Sequence, residues 1–235
     1  MDHPLNLPLP AVNEVTALRA QVSAWRLAGE RIGFVPTMGA LHAGHLSLIE
    51  KAREHSDRVV VSIFVNPAQF APGEDFDAYP RTLDQDAAML TGAGCDLLFA
   101  PTARVMYPAG FDLTVHVGGP SAGLETDFRP HFFDGVATVV AKLFNQVRPD
   151  IAVFGEKDYQ QLLVVTRLAA DLDHGVDIVP APILREPDGL AMSSRNAYLS
   201  KEDRQRAARL YAILTGMVTG LEAGTSIETA QAEAI

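Results

Sequence analysis

Two histidines, His42 and His45, stand three positions apart at the end of residues 36–45. This segment follows a short apolar run and contains Gly39, a pattern that predicts a strand, a tight turn and a helix start. Backbone N–H groups and the positive end of the helix dipole would then suit a phosphate. Positions i and i+3 share a helix face, so both imidazoles could donate to a phosphoryl oxygen. Gly44 leaves room for a flat ring against the backbone.

Two other interpretations of this segment are a helix start with incidental histidines and a metal site. A metal site is disfavoured because no matching cluster of Cys, His or carboxylate residues stands nearby in the sequence. The spacing is that of the His-x-Gly-His signature of nucleotidyltransferases, present here as HAGH after a predicted strand. We therefore interpret the segment as nucleotide binding.

A pair of amides flanks Pro67 at the end of the next predicted strand. Asn66 and Gln69 could offer fixed donors and acceptors to the hydroxyl groups and the carboxylate of a small substrate. Asn-Pro is also an ordinary turn sequence, so this motif is weak when taken alone.

A charged segment and a hydroxyl-rich loop complete the set of polar motifs. Lys157 follows a predicted strand and could place a point charge on a phosphate, with Gln161 one helical turn further on. A helix start capped by Asp158 is the alternative interpretation of that segment. Residues 193–195 supply two hydroxyls and an arginine in a loop preceded by glycine, which could close over a triphosphate.

Apolar runs alternate with helical segments along the chain, and this alternation predicts the frame that positions these motifs. The first dozen residues are Pro-rich and expected to be irregular. Strands are predicted at 32–35, 59–65, 96–99, 151–154 and 177–179, and helices at 14–28, 42–55, 83–90, 135–146, 160–171 and 200–222. Such βαβ units predict an α/β fold with a doubly wound parallel sheet. Ligands bind beyond the carboxyl ends of the strands in such sheets, where the polar segments fall.

The composition excludes several classes of protein. The 235 residues carry a formal net charge of −10, which argues against a general binder of nucleic acids or anionic membranes. No apolar run approaches the roughly 18–20 residues of a membrane span. The N-terminus lacks the pattern of a signal peptide. The single cysteine, Cys95, is expected to be a buried structural thiol, and a cytoplasmic location is expected.

With these motifs in hand, the sequence resembles the pantothenate synthetase (pantoate–β-alanine ligase) family. The resemblance extends from about Ile32 to Leu199 and is carried by PTMGALHAGH, FVNPAQF, YPRTLDQD, GEKDYQQL and DGLAMSSRNAYLS. It implies ATP-dependent condensation of pantoate with β-alanine through a pantoyl-adenylate, releasing AMP and pyrophosphate. It also implies a homodimer, a Rossmann-like domain over residues 1–183 and a smaller C-terminal α+β lid domain over residues 184–235.

The resemblance assigns roles by motif, with His45 as proton donor and Mg²⁺ accompanying ATP. The ATP-binding positions it implies are Met38, Gly39, Ala40, Leu41, His42, Ala43, Gly44, His45, Gly155, Glu156, Lys157, Asp158, Leu184, Met192, Ser193, Ser194 and Arg195. The catalytic positions among them are His42, His45, Lys157, Ser193, Ser194 and Arg195. Gln69, Gln161 and Asn66 would bind substrate, and Asp86 would contact the magnesium ion, with Tyr79 nearby.

Two features depart from the family pattern. The family segment Arg-Pro-x-His-Phe-x-Gly-Val has Phe132 in place of its histidine, with His131 displaced by one position, so no role is assigned there. Family members usually continue for several dozen residues beyond Ile235. Residues 225–228 fit a capping box whose helix stops after about two turns, so we expect an incomplete lid.

Two other functions remain open from sequence. Another nucleotidyltransferase could transfer AMP or CMP to a phosphate-bearing acceptor, although that reaction favours a basic acceptor pocket over the amide-rich segments found here. The chain could also be a nucleotide-binding module without catalysis.

Overall fold

The computed structural model describes residues 7–234 and contains a six-stranded sheet in which every neighbouring pair is parallel. The order of strands across the sheet is β1-β4-β3-β2-β5-β6. The predicted doubly wound parallel sheet is therefore confirmed. The strands are β1 (Ala11–Val12), β2 (Ile32–Thr37), β3 (Arg58–Ile63), β4 (Leu97–Phe99), β5 (Ile151–Gly155) and β6 (Asp177–Ala181).

Helices connect the strands, and two further α-helices follow the last strand in the sequence. The α-helices are α1 (Val15–Leu27), α2 (Ala43–Arg53), α3 (Leu83–Ala93), α4 (Ala103–Met106), α5 (Glu125–Phe128), α6 (Phe132–Val147), α7 (Tyr159–Asp171), α8 (Lys201–Glu222) and α9 (Ile227–Glu233). Short 3₁₀ helices occupy Pro67–Gln69, Glu156–Asp158 and Ser194–Tyr198. Helix α8 begins where the sequence predicts, because the Ser200 side chain accepts a hydrogen bond from the Asp203 N–H.

Apolar side chains cover both faces of the sheet. Successive strand residues point to opposite faces, so Phe34 packs in one core with α1, α6 and α7, while Val35 packs in the other with α2 and α3. Burial on both faces explains why the central strands are continuous apolar runs. Cys95 is buried in the second core, and burial raises its pKa to about 12, as expected for a structural thiol.

Several element boundaries differ from the predicted ones. Strand β1 lies in the segment expected to be irregular, where Ala11 pairs with Leu98 of β4. Strand β2 continues through Pro36 to Thr37. Its pairs with β5 end at Phe34, so Pro36 has a strand partner on one side only, where a missing N–H is tolerated.

The chain divides into two compact units, and the second comprises Ile183–Ile235 together with His42–Gly44. Within it, the Arg185 guanidinium lies 3.9 Å from the centre of the Tyr211 ring. In the described part of residues 183–235, the regular elements are the 3₁₀ helix Ser194–Tyr198, α8 and α9, together with one antiparallel bridge between Arg185 and Ala191. Ser226, not Thr225, caps α9 by accepting from the Thr229 N–H. A lid role for residues 184–235 stays a prediction.

Candidate active site

The order of strands in the sheet reverses between β2 and β5. From β2, strands β3 and β4 extend in one direction, while β5 and β6 extend in the other. A reversal of this kind opens a crevice beyond the carboxyl ends of the two central strands. Residues 38–41 follow β2 and the helix Glu156–Asp158 follows β5. Both segments predicted to bind the nucleotide therefore leave the strands that flank this crevice.

Three backbone N–H groups of the loop after β2 donate hydrogen bonds to side-chain oxygens of the protein. The Gly39 N–H donates to Thr37 Oγ1 at 3.2 Å. The Ala40 N–H donates to Asp86 Oδ2 at 3.0 Å, and the Leu41 N–H donates to Asp86 Oδ1 at 2.8 Å. Side chains of the protein accept from these three groups in the structure, and their contact with a phosphate stays a prediction.

His42 lies just before α2 rather than in it, which corrects the predicted placement of both histidines on one helix face. Its Nδ1 accepts a hydrogen bond from the Gly44 N–H at 3.1 Å, as a capping side chain does. A Cβ at Gly44 would lie 2.9 Å from ring atoms of His42, so the flat ring against the backbone is that of His42 itself. Because Nδ1 accepts, the proton of the neutral ring is on Nε2. His45 lies in the first turn of α2.

The carboxamide of Asn66 is buried and makes four hydrogen bonds with other groups of the protein. Its Nδ2 donates to Gln69 Oε1 and to the Gly135 carbonyl, both at 3.1 Å. Its Oδ1 accepts from the Tyr107 hydroxyl at 2.7 Å and from the Ala68 N–H at 3.2 Å. Two donors and two accepted bonds satisfy an amide side chain. Asn66 therefore holds Gln69 in place, a different role from the substrate contact predicted from sequence.

These contacts determine how the Gln69 carboxamide is oriented. Its Oε1 accepts from Asn66, so its NH₂ group points the other way, with Nε2 3.2 Å from Met38 Sδ in the loop after β2. Burial raises the pKa of Tyr107 to about 12, which keeps its hydroxyl protonated as the donor to Asn66. Gln69 thus presents a donor group next to the loop that leads to His42.

The segment after β5 carries a surface charge pair. Lys157 Nζ lies 3.0 Å from Asp158 Oδ1, and the two side chains are 38% and 59% exposed. Asp158 makes no side-chain cap to α7, so the alternative of a capped helix start is not supported. Gln161 is half-buried in the first turn of α7, whereas its neighbour Gln160 donates to the Pro120 and Gly123 carbonyls.

The hydroxyl-rich loop lies in the second unit. The Ser193 side chain accepts from the Arg195 N–H at 3.3 Å and caps the 3₁₀ helix Ser194–Tyr198. The Met192 N–H donates to the Leu184 carbonyl at 3.0 Å. These bonds shape the loop that carries the predicted phosphate contacts.

Comparison with known proteins identifies the family. Residues 10–235 match the family model described as Pantoate-beta-alanine ligase. The chain belongs to the pantoate–β-alanine ligase family. Its relatives include the pantothenate synthetases of Mesorhizobium japonicum, 61% identical over 95% of this chain and 79% of the relative, and Maricaulis maris, 56% identical over 97% and 79%.

Solved structures of the family have the same fold. The pantothenate synthetase of Thermus thermophilus is 52% identical, with a TM-score of 0.91 over 96% of this chain and 80% of that chain. The Francisella tularensis pantoate–β-alanine ligase, complexed with beta-gamma ATP and beta-alanine, is 39% identical, with a TM-score of 0.83 over 88% and 79%.

Residues 129–136, the segment that departs from the family pattern, also contact Gln69. Arg129 donates to the Gln69 carbonyl at 2.9 Å and to both carboxylate oxygens of Glu74, at 2.8 and 2.6 Å. The hydrogen bond from Arg129 lowers the pKa of Glu74. Phe132, which replaces the family histidine, places its ring 4.2 Å from the Arg129 guanidinium. Sequence reasoning missed Arg129, Glu74 and Tyr107, although Arg129 opens the segment already marked as divergent.

The residues around Asp86 do not fit a magnesium site held by the protein. Both oxygens of the Asp86 carboxylate accept from backbone N–H groups, and the Thr82 hydroxyl lies 3.2 Å from each. Between residues 7 and 234, no three His, Cys, Asp or Glu side chains are grouped so that they could hold a metal ion. Helices able to cross a membrane are likewise absent from this part of the chain.

Proposed function

We propose that this chain condenses pantoate with β-alanine at the expense of ATP, through a pantoyl-adenylate. The observation that carries the proposal is the buried Gln69 carboxamide, whose NH₂ group is directed by Asn66 toward the loop before His42. A donor held in that orientation matches the carboxylate and hydroxyl oxygens of a small hydroxy acid. Membership of the ligase family supports the same substrate pair.

The reaction proceeds in two displacements. A carboxylate oxygen of pantoate attacks the α-phosphorus of ATP, a P–O bond forms, and the bond to pyrophosphate breaks. The amine of β-alanine then attacks the acyl carbon, the bond to AMP breaks, and the nitrogen loses a proton. The pantoate carboxylate is already ionised at pH 7 and needs no general base. The enzyme must therefore align two anions and stabilise the charge on phosphorus.

The charge-stabilising groups that we assign are His42, His45 and Lys157. Because His42 carries its proton on Nε2, it meets a phosphoryl oxygen as a hydrogen-bond donor. We assign the same role to His45, in place of the proton transfer that the family resemblance implies. Gln69 and Gln161 would hold pantoate. For Ser193, Ser194 and Arg195, the family resemblance alone supports contact with the phosphates.

Magnesium is proposed to enter with ATP, bound mainly by phosphate oxygens and water, as is common for this ion. We also infer a homodimer and a cytoplasmic location from the family resemblance.

Pantoate-dependent exchange of pyrophosphate into ATP tests the proposal. Labelled pyrophosphate should enter ATP only when pantoate is present, and without β-alanine. Exchange that requires a phosphorylated acceptor instead would favour a different nucleotidyltransferase. Tight ATP binding with no exchange under either condition would indicate a binding module and overturn the proposed function.

A further inference from the structure

Asp86 is a buried carboxylate that contacts the loop after β2. Its side chain lies in the first turn of α3 and the residue is 2% exposed. One oxygen accepts from the Ala40 N–H and the other from the Leu41 N–H, at 3.0 and 2.8 Å. The Thr82 hydroxyl lies 3.2 Å from both oxygens. A carboxylate that accepts from N–H groups makes stronger hydrogen bonds than a neutral acceptor does.

The loop needs such support because two consecutive residues adopt left-handed backbone conformations. Gly39 has φ +84° and Ala40 has φ +51°. The second value is unfavourable for a residue with a side chain, and it persists only where neighbouring contacts hold it. A Cβ at Gly39 would lie 3.0 Å from Asp86 Oδ2, so the loop backbone also approaches the carboxylate closely.

We propose that Asp86 is a positioning residue for the nucleotide loop and not a magnesium ligand. Its two oxygens hold the N–H groups of the two residues before His42, and thereby fix the backbone that leads through His42 into α2. The Asp86 residue is 2% exposed and each of its carboxylate oxygens already accepts from a loop N–H, whereas a magnesium ligand has to present an oxygen to the ion and its water molecules. The inference rests on the proposed function, because it concerns the loop assigned to ATP.

The substitution Asp86→Asn tests this role. A carboxamide keeps one accepting oxygen but turns an NH₂ group toward the other backbone N–H, so the loop must shift. We expect kcat/KM for ATP in the exchange reaction to fall roughly tenfold to 100-fold, as for a displaced catalytic group. The KM for pantoate and the Mg²⁺ concentration for half-maximal rate at fixed ATP should stay near the wild-type values.

The matched control is Asp84→Asn, which removes the same charge from an exposed position in the same turn of α3. It should behave as wild type. Thr82→Val removes the hydroxyl that contacts both Asp86 oxygens and should raise the KM for ATP by a smaller factor. If thermal unfolding shows that Asp86→Asn does not fold, the KM for ATP of Thr82→Val tests the positioning role in its place.

Two results would overturn the positioning role. One is a raised Mg²⁺ requirement in Asp86→Asn, with full activity restored by excess Mg²⁺, which would mark Asp86 as a metal ligand. The other is kinetics of Asp86→Asn equal to those of Asp84→Asn. Failure of the proposed function is distinguishable, since the wild-type chain would then show no pantoate-dependent exchange.

Discussion

The imidazole of His42 accepts from the Gly44 N–H through Nδ1, which places its proton on Nε2. An imidazole held in this way is a directed hydrogen-bond donor. The chemistry at phosphorus needs such donors more than it needs a base, because the attacking carboxylate is already ionised. We extend this reasoning to His45, three residues further on.

The substitution His45→Gln separates donation from proton transfer, because glutamine keeps an N–H donor and does not titrate. Loss of one such donor costs about 100- to 1000-fold in kcat, and we expect that loss in His45→Ala. His45→Gln should retain clearly more exchange activity. His55→Gln, an exposed position just beyond α2, is the control and should match wild type. Equal losses in His45→Gln and His45→Ala would refute the donation hypothesis.

Residue types and spacing predicted that polar segments follow β2, β3 and β5, but they could not assign the role of every polar residue. Asn66 and Asp86 were expected to contact substrate and metal. In the structure, they hold Gln69 and the loop after β2. Their partners are distant in the chain, as Tyr107 is 41 positions from Asn66 and Ala40 is 46 positions from Asp86. Only the packed fold shows that their polar atoms are already used.

At the scale of elements, the start of α6 packs directly on the 3₁₀ helix that carries Gln69. A Cβ at Gly135 would lie 2.6 Å from the Ala68 carbonyl carbon and 2.8 Å from Gln69 Cα. The Gly135 carbonyl also accepts from Asn66. This glycine permits the close approach on which the orientation of Gln69 depends.

Gly135→Ala should therefore destabilise the protein by about 1–3 kcal/mol, as overpacking does. It should also raise the KM for pantoate, because the backbone at Gln69 must move. Gly92→Ala is the control, since a Cβ at that exposed position in α3 meets nothing within 4 Å. The control should gain up to about 1 kcal/mol from helix propensity. Denaturant unfolding measures the change in stability of both variants. A Gly135→Ala protein as stable as wild type would contradict the packing argument.

Element boundaries were less predictable than the elements themselves. Local sequence favours a strand end at Pro36, yet pairing with β3 carries β2 on to Thr37. The two apolar residues of β1 are too short a run to predict a strand from sequence, and β1 forms by pairing with the edge of β4. These boundaries are set by tertiary pairing, which a single stretch of sequence does not contain.

At the scale of the whole molecule, alternation of strands and helices predicts a doubly wound sheet, but not the order of its strands. That order places β2 beside β5 and so brings the segment before His42 and the segment with Lys157 to the same crevice edge. The chemistry proposed here depends on this order, because segments 36–45 and 155–161 are far apart in sequence.

Transfer of oxygen from pantoate to AMP tests the central claim most directly. With pantoate labelled by ¹⁸O in both carboxylate oxygens, attack on the α-phosphorus requires one ¹⁸O to leave in the phosphate of AMP. The other should remain in the amide carbonyl of the product, and mass spectrometry of AMP and product measures both. AMP free of ¹⁸O, or label found in pyrophosphate, would contradict an acyl-adenylate formed by this chain.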